Sequence, residues 1–314
     1  MQSPLFLQPV LQERIWGGTS LQDFNYELSS ELTGECWGIS AHQNGVSVVR
    51  EGKYQGLTLA DLWAQHRELF GNVPGDKFPL LTKILDANQD LSVQVHPNDL
   101  YANEHENGEF GKTECWYIID CKEGAEMIYG HHAQTKEEFA SMVEAGNWDA
   151  LLRRVAIKPG DFFYVPSGTI HALCEGTLVL ETQQSSDTTY RVYDYDRTDS
   201  DGNQRELHLD KALAVSTVPH QDFALHIETK HENGAEITTF VQGEYFSVYK
   251  WDVKEEAAFQ QNQLFQLASV IGGSGTIVTV DGEFPLRKGD HFVMPYNMGN
   301  FVLKGELSLI VSHI

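Results

Sequence analysis

The sequence predicts a mainly β protein built from two related β-barrels with a few short helices. Three observations carry this reading. Short alternating or continuous runs of Val, Ile, Phe, Tyr and Thr recur along the chain, each closed by Gly, Pro, Asn or Asp, which is the pattern of a sandwich or barrel. Helical periodicity is confined to a few places. Finally, KPGDFFYVPSGTIH at 158–171 aligns with RKGDHFVMPYNMGN at 287–300 at a constant offset of 129. Both copies read basic, any residue, Gly, Asp, any residue, Phe, two apolar residues and Pro, a hairpin-like unit whose duplication implies two barrels. The second copy has Asn300 where the first has His171, so metal chemistry is expected in the first barrel alone.

Taken in order, the strand-like runs lie at 91–96, 114–120, 161–165, 177–182, 237–241 and 301–303. A helix is expected at 57–70, with Leu59, Leu62, Trp63 and Leu69 apolar and Gly71 as a stop. A second is expected at 136–145, where Phe139, Met142 and Val143 share a face between a Thr135 N-cap and Gly146. One or two further turns are expected at 148–154 and a short helix at 209–215. The polar stretch 198–205 reads as a loop. A boundary near 230–234 divides the chain into 1–232, which holds the motif copy with His171 and small helical segments and is the part expected to bind any metal, and 233–314, a barrel without a metal site.

With 22 Lys+Arg against 45 Asp+Glu, the 314-residue chain carries a formal charge of −23. That excludes nucleic acid and an anionic membrane surface as partners, since both draw on a basic face. No window approaches the roughly 18 apolar residues of a spanning helix, and the N-terminal stretch lacks the basic and apolar regions of a signal peptide. The expectation is a cytoplasmic protein, a monomer or weak oligomer. Cys36, Cys115, Cys121 and Cys174 show no Cys-x-x-Cys spacing, so they read as unpaired thiols. Aromatic residues make up 11%, and without a basic groove they belong to the core.

Three fragments embed polar groups in strand-like runs: LSVQVHPND, GKTECWYII and VPSGTIHAL. Gln94 and His96 stand two apart and so share a face of a strand. Glu114 opens the second run and His171 closes the turn of the third. Two imidazoles, a carboxylate and an amide oxygen inside a small barrel suit Zn²⁺, and also Fe²⁺, Mn²⁺ or Co²⁺. Without such a role they are buried polar groups lacking evident partners. His131 and His132, being adjacent on a strand, face opposite sides and do not share an ion.

These residues carry a resemblance. KPGDFFYVPSGTIHAL resembles the second motif of the cupin superfamily. Gln-Val-His-Pro-Asn-Asp followed by Gly-Lys-Thr-Glu-Cys-Trp resembles the type I phosphomannose isomerases in their short bacterial form. The blocks at 14–18, 34–40, 79–83 and 190–194 are similar to that family too, in the same order. The resemblance implies two cupin-like barrels (jelly-roll, double-stranded β-helix) and one divalent metal, Zn²⁺ foremost, on Gln94, His96, Glu114 and His171. It implies Arg191 and Lys112 as catalytic residues, and a sugar-phosphate pocket including Lys83, Ser92, Trp16 and Glu35. The longer family members insert a helical domain between the metal motifs, whose place only 135–154 can take here. The implied reaction interconverts mannose 6-phosphate and fructose 6-phosphate through an enediolate, whose charge needs an electrophile in a water-poor site. Against −23, the phosphate requires a local cluster of cations. The alternatives are a metal-containing sugar-binding cupin without catalysis and an Fe-dependent cupin oxygenase.

Overall fold

The computed structural model describes residues 3–198 and 202–314, so part of the expected 198–205 loop, residues 199–201, lies outside the described residues. The fold is mainly β. A six-stranded sheet runs in spatial order Phe162–Val165, Glu114–Cys121, Thr177–Gln184, Leu80–Ala87, Thr33–Ile39 and Val10–Gly18. A five-stranded sheet runs Tyr190–Tyr193, Val93–Val95, His171–Leu173, Glu126–His131 and Leu152–Ala156. The C-terminal part forms a ten-stranded sheet around two long strands, Gln266–Thr279 and Gly299–His313. Strand Leu5–Gln8 joins that sheet by pairing with His291–Met294. The expected boundary at 232/233 falls in the turn of the hairpin Glu228–Glu232 and Ala235–Gln242.

The sheets stack because their strands alternate. On the six-stranded sheet, Cys36, Ile84, Cys115, Tyr117, Leu178 and Leu180 pack outward against Phe240, Phe246, Phe265 and Leu267 of the C-terminal part. The intervening residues Leu85, Trp116, Ile118 and Val179 face inward and meet Met127, Tyr129 and Leu173 of the five-stranded sheet. The far side of the five-stranded sheet is covered by helices Lys136–Glu144, Trp148–Leu151 and Leu209–Val215, through Phe139, Leu151 and Ala212. Leu80–Ala87 and Thr177–Gln184 lie in the middle of the sheet and are covered on both faces, so every residue of both is buried, polar ones included.

The duplicated segment has one local structure. In the first copy Lys158 N–H donates to Asp161 Oδ2, and in the second Arg287 N–H donates to Asp290 Oδ2. Gly160 and Gly289 sit at φ 91° and 95°, a region glycine enters without steric cost. The strands Phe162–Val165 and His291–Met294 follow directly.

Two expectations change, and one helix is added. The helix expected at 57–70 is an α-helix Leu59–Gln65, capped by a Thr58–Asp61 box, and a separate 3₁₀ turn Arg67–Phe70. The break is at His66, φ −132° and ψ 50°, and the 3₁₀ turn lets Phe70 join Trp63, Phe78 and Phe265. The helix expected across 148–154 stops at Leu151, and Leu152–Ala156 is an edge strand paired to Glu126–His131. An unexpected helix, Asp99–His105, begins where the Asn98 side chain accepts from Tyr101 N–H. By contrast, 136–145 and 209–215 are helical as read, within one residue.

Candidate active site

The inner face of the six-stranded sheet turns polar toward one end. Glu35, Lys83, Glu114, Glu181 and Gln183 share the inward parity of Leu85, Trp116 and Val179, and cross-strand register sets Glu181 beside Lys83 and Gln183 beside Glu114. On the opposing sheet Gln94 is flanked by His171 on one side and Arg191 on the other. His96 follows two residues after Gln94.

His96, Glu114 and His171 converge, their donor atoms all within 4.8 Å of one another. Glu114 Oε2 lies 3.4 Å from His96 Nε2, and Glu114 Oε1 lies 3.3 Å from His171 Nε2. Each imidazole meets a backbone carbonyl through Nδ1, of Thr188 and of Thr169, both at 2.8 Å. A carbonyl only accepts, so each Nδ1 carries the proton and each Nε2 presents a lone pair to Glu114. Two lone pairs and a carboxylate facing one another, with Glu114 Oε1 left without a hydrogen-bond donor, form a donor set that fits a divalent cation. The Gln94 carboxamide reaches His171 Nε2 at 3.4 Å, and either end of an amide can be turned inward.

The electrostatics keep this set ready to ligate. Burial, followed by the Lys112 charge, pushes the His96 imidazole down to about 3, and burial lowers His171 as well. Burial acts to raise the Glu114 carboxyl, but the Lys112 charge outweighs it and holds it well below the usual range. Lys112 Nζ donates to Glu114 Oε2 at 2.5 Å and lies 3.1 Å from His96 Nε2. Burial disfavours its charge, yet Glu114 and Glu181 raise it above an ordinary lysine.

Beside the triad opens a cavity of about 490 Å³. Arg191, Lys112, Lys83, Ser92, Trp16 and Glu35, all expected at the site, line it together with Gln94. His96, Glu114 and His171 sit behind its wall. Lys83 Nζ lies 3.8 Å from Glu181 and 4.0 Å from Glu35 and stands over the Trp37 ring. Sequence reasoning missed Glu181, Asp187, Arg14 and Arg205, which also line the cavity. Glu181 had a signal, being the one acid in the buried strand TLVLETQQ, at the inward parity of Val179. Trp116 Nε1 donates to it at 2.9 Å. Burial and the Glu114 charge raise its pKa despite Lys112 and Lys83. Asp187 accepts from Asn44 and is held low by Lys83 against its burial. His131, by contrast, is buried and bonded to Thr217 O, away from the triad.

Residues 5–120 match the family profile of the phosphomannose isomerase type I catalytic domain, and 236–314 that of the mannose-6-phosphate isomerase cupin domain. The chain is 60% identical over 314 residues to the putative mannose-6-phosphate isomerase YvyI of Bacillus subtilis (strain 168), covering 100% of this chain and 99% of the relative. It is 58% identical over 311 residues to the mannose-6-phosphate isomerase ManA of the same organism, covering 99% of each. The crystal structure of the mannose 6-phosphate isomerase from Bacillus subtilis superposes with a TM-score of 0.98 at 60% identity, covering 100% of both chains.

Proposed function

Because the chain belongs to the type I phosphomannose isomerase family, we propose that it interconverts mannose 6-phosphate and fructose 6-phosphate by moving a proton between C1 and C2. The observation that carries this reading is the convergence of His96, Glu114 and His171 at the wall of a cavity that also presents Lys112 and Arg191. Gln94, His96, Glu114 and His171 would hold a divalent metal, with Zn²⁺ the ion their N/O set favours. When bound, it supplies positive charge for the enediolate oxygens.

The other roles belong to the chain's own residues. Lys112 is an ammonium, held so by Glu114 and Glu181, so it serves as a fixed charge and hydrogen-bond donor rather than a base. Glu181, its pKa raised by burial and by Glu114, is the cavity carboxylate suited to exchange a proton with the substrate. Arg191 supplies a positive charge to the substrate bound in the cavity. Lys83, Ser92, Trp16 and Glu35 shape the sugar pocket, Trp16 by an apolar face and Glu35 by orienting Arg14 and Lys83. Residues 1–232 thus carry the chemistry, and 233–314 support it through the apolar layer behind the six-stranded sheet. A cytoplasmic location is supported by four unpaired cysteines, three of them buried.

The test is an isomerase assay on mannose 6-phosphate with and without chelator, followed by metal analysis of the purified chain. His171→Ala and Glu114→Ala are expected to lose bound metal and turnover together. Activity retained without metal overturns the assignment. Turnover under anaerobic conditions separates it from an oxygenase.

A further inference from the structure

The cations lining the cavity are not equivalent. Arg14 is paired with Glu35 through two contacts, at 3.1 and 3.0 Å. Lys83 lies between Glu35 and Glu181, and Lys112 is 2.5 Å from Glu114. These three have carboxylate partners at the site, and Asp187 adds a further negative charge to the lining, so no surplus of positive charge is left among them. Arg191 and Arg205 differ. Among the described residues Arg191 has no carboxylate at ion-pair distance; its only side-chain bond runs to Glu206 O at 3.3 Å, and its Nε is buried without a partner.

Arg205 is held from outside the cavity. Asp194, 4% exposed, accepts from Arg205 Nε at 2.8 Å and from the guanidinium's second nitrogen at 2.5 Å. The same carboxylate accepts from Arg197, which also donates to Asp90 O. The turn that places Asp194 includes Tyr195 and Asp196 at φ 58° and 54°, left-handed conformations that non-glycine residues keep only where the surroundings impose them. One carboxylate between two guanidiniums leaves a net charge of +1, and Arg191 adds another. A sugar phosphate monoester carries roughly −1.5 to −2 near neutrality.

We propose that Arg205, together with Arg191, receives the phosphoryl group of the substrate, and that Asp194 is the positioning residue that aims Arg205 into the cavity. The inference rests on the sugar-phosphate reading above. Two like charges lining one cavity repel, and Arg191 is pushed down by burial and then by Arg205, a strain that a bound dianion relieves. With its Nε and one terminal nitrogen committed to Asp194, Arg205 keeps donors on the other terminal nitrogen, and a charged contact of this kind discriminates strongly for phosphate.

The experiment compares the metal-loaded parent with Arg205→Ala, Arg205→Lys and Asp194→Asn. Arg205→Ala is expected to raise KM for mannose 6-phosphate roughly 10- to 100-fold, the loss of one charge-assisted contact, with kcat within about threefold. Arg205→Lys should recover part of the loss. Asp194→Asn should raise KM in the same sense, and adding it to Arg205→Ala should cost nothing more, because it acts through Arg205. Inorganic phosphate, titrated by calorimetry, should bind the parent and bind Arg205→Ala at least tenfold more weakly. An unchanged KM, a loss confined to kcat, or phosphate binding absent from the parent or equal in parent and variant overturns the proposal. A parent that binds phosphate through Arg205 but does not turn over mannose 6-phosphate upholds this site and rejects the isomerase reading instead.

Discussion

Replacing Lys112 by Met removes the ammonium lying 2.5 Å from Glu114 Oε2, both side chains being almost fully buried. At that separation and an effective dielectric of about 20 the attraction is ~7 kcal/mol, and desolvation of two buried ions offsets part of it. Removing one partner of a buried pair costs about 3–5 kcal/mol. Metal-free Lys112→Met is therefore expected to lose about that much stability in urea denaturation, because only two neutral imidazoles then face the Glu114 carboxylate. With a dication bound, Glu114 has another counter-charge and the penalty shrinks, by at least about 1.4–3 kcal/mol. Around a closed thermodynamic cycle that difference appears as tighter metal binding, roughly 10- to 100-fold, even though turnover is lost. Competition against a chromogenic chelator measures it. Metal-free Lys112→Met within about 1 kcal/mol of the parent, or a variant that holds metal more weakly, refutes the reasoning.

Three further outcomes follow from the same structure. Glu181→Gln keeps shape and removes the titrating carboxyl, so kcat should fall roughly 10²- to 10⁴-fold at unchanged metal content; a fall below threefold removes Glu181 from proton transfer. His291, bonded to Tyr26 and Ser269, is pushed by burial down to about 3 from 6.5. The unfolded chain then takes up a proton below about pH 6.5 that the folded chain refuses, so this stability is present above 6.5 and is lost as pH falls, by about 3 kcal/mol at pH 4.5. His291→Gln should flatten that part of the stability–pH curve, and an unchanged slope counts against the assignment. Phe265 is fully buried against Trp63, Phe70 and Phe78, so Phe265→Ala should cost about 3–5 kcal/mol in urea midpoint while leaving metal content intact.

Much of the architecture was legible because strand parity and helix stops are local. Gln94 and His96, two apart, needed only the period of a strand to be placed on one face, and Thr135 and Gly146 bounded a helix from their own chemistry. The duplicated Gly-Asp turn was readable for the same reason, its hydrogen bond spanning three residues. What failed was decided at longer range. Residues 152–156 became a strand because an edge was available beside Glu126–His131, and no local preference announces a free edge.

The sequence by itself determined the chemical alphabet of the site: a Gln, two His and a Glu at inward positions, and a handful of cations in an acidic chain of net charge −23. Tertiary structure alone decided how those cations are employed. Glu35, Glu114 and Glu181 reach the site from three different strands and neutralise Lys83 and Lys112, whereas Asp194 holds Arg205 from outside the cavity and Arg191 has no carboxylate at ion-pair distance among the described residues. Pairing of charges depends on separations of a few ångströms between residues distant in the chain, and a Coulomb interaction in a buried site changes by several kcal/mol over that range. Periodicity reports which face a residue occupies; only the packed sheets fix which charge it meets there.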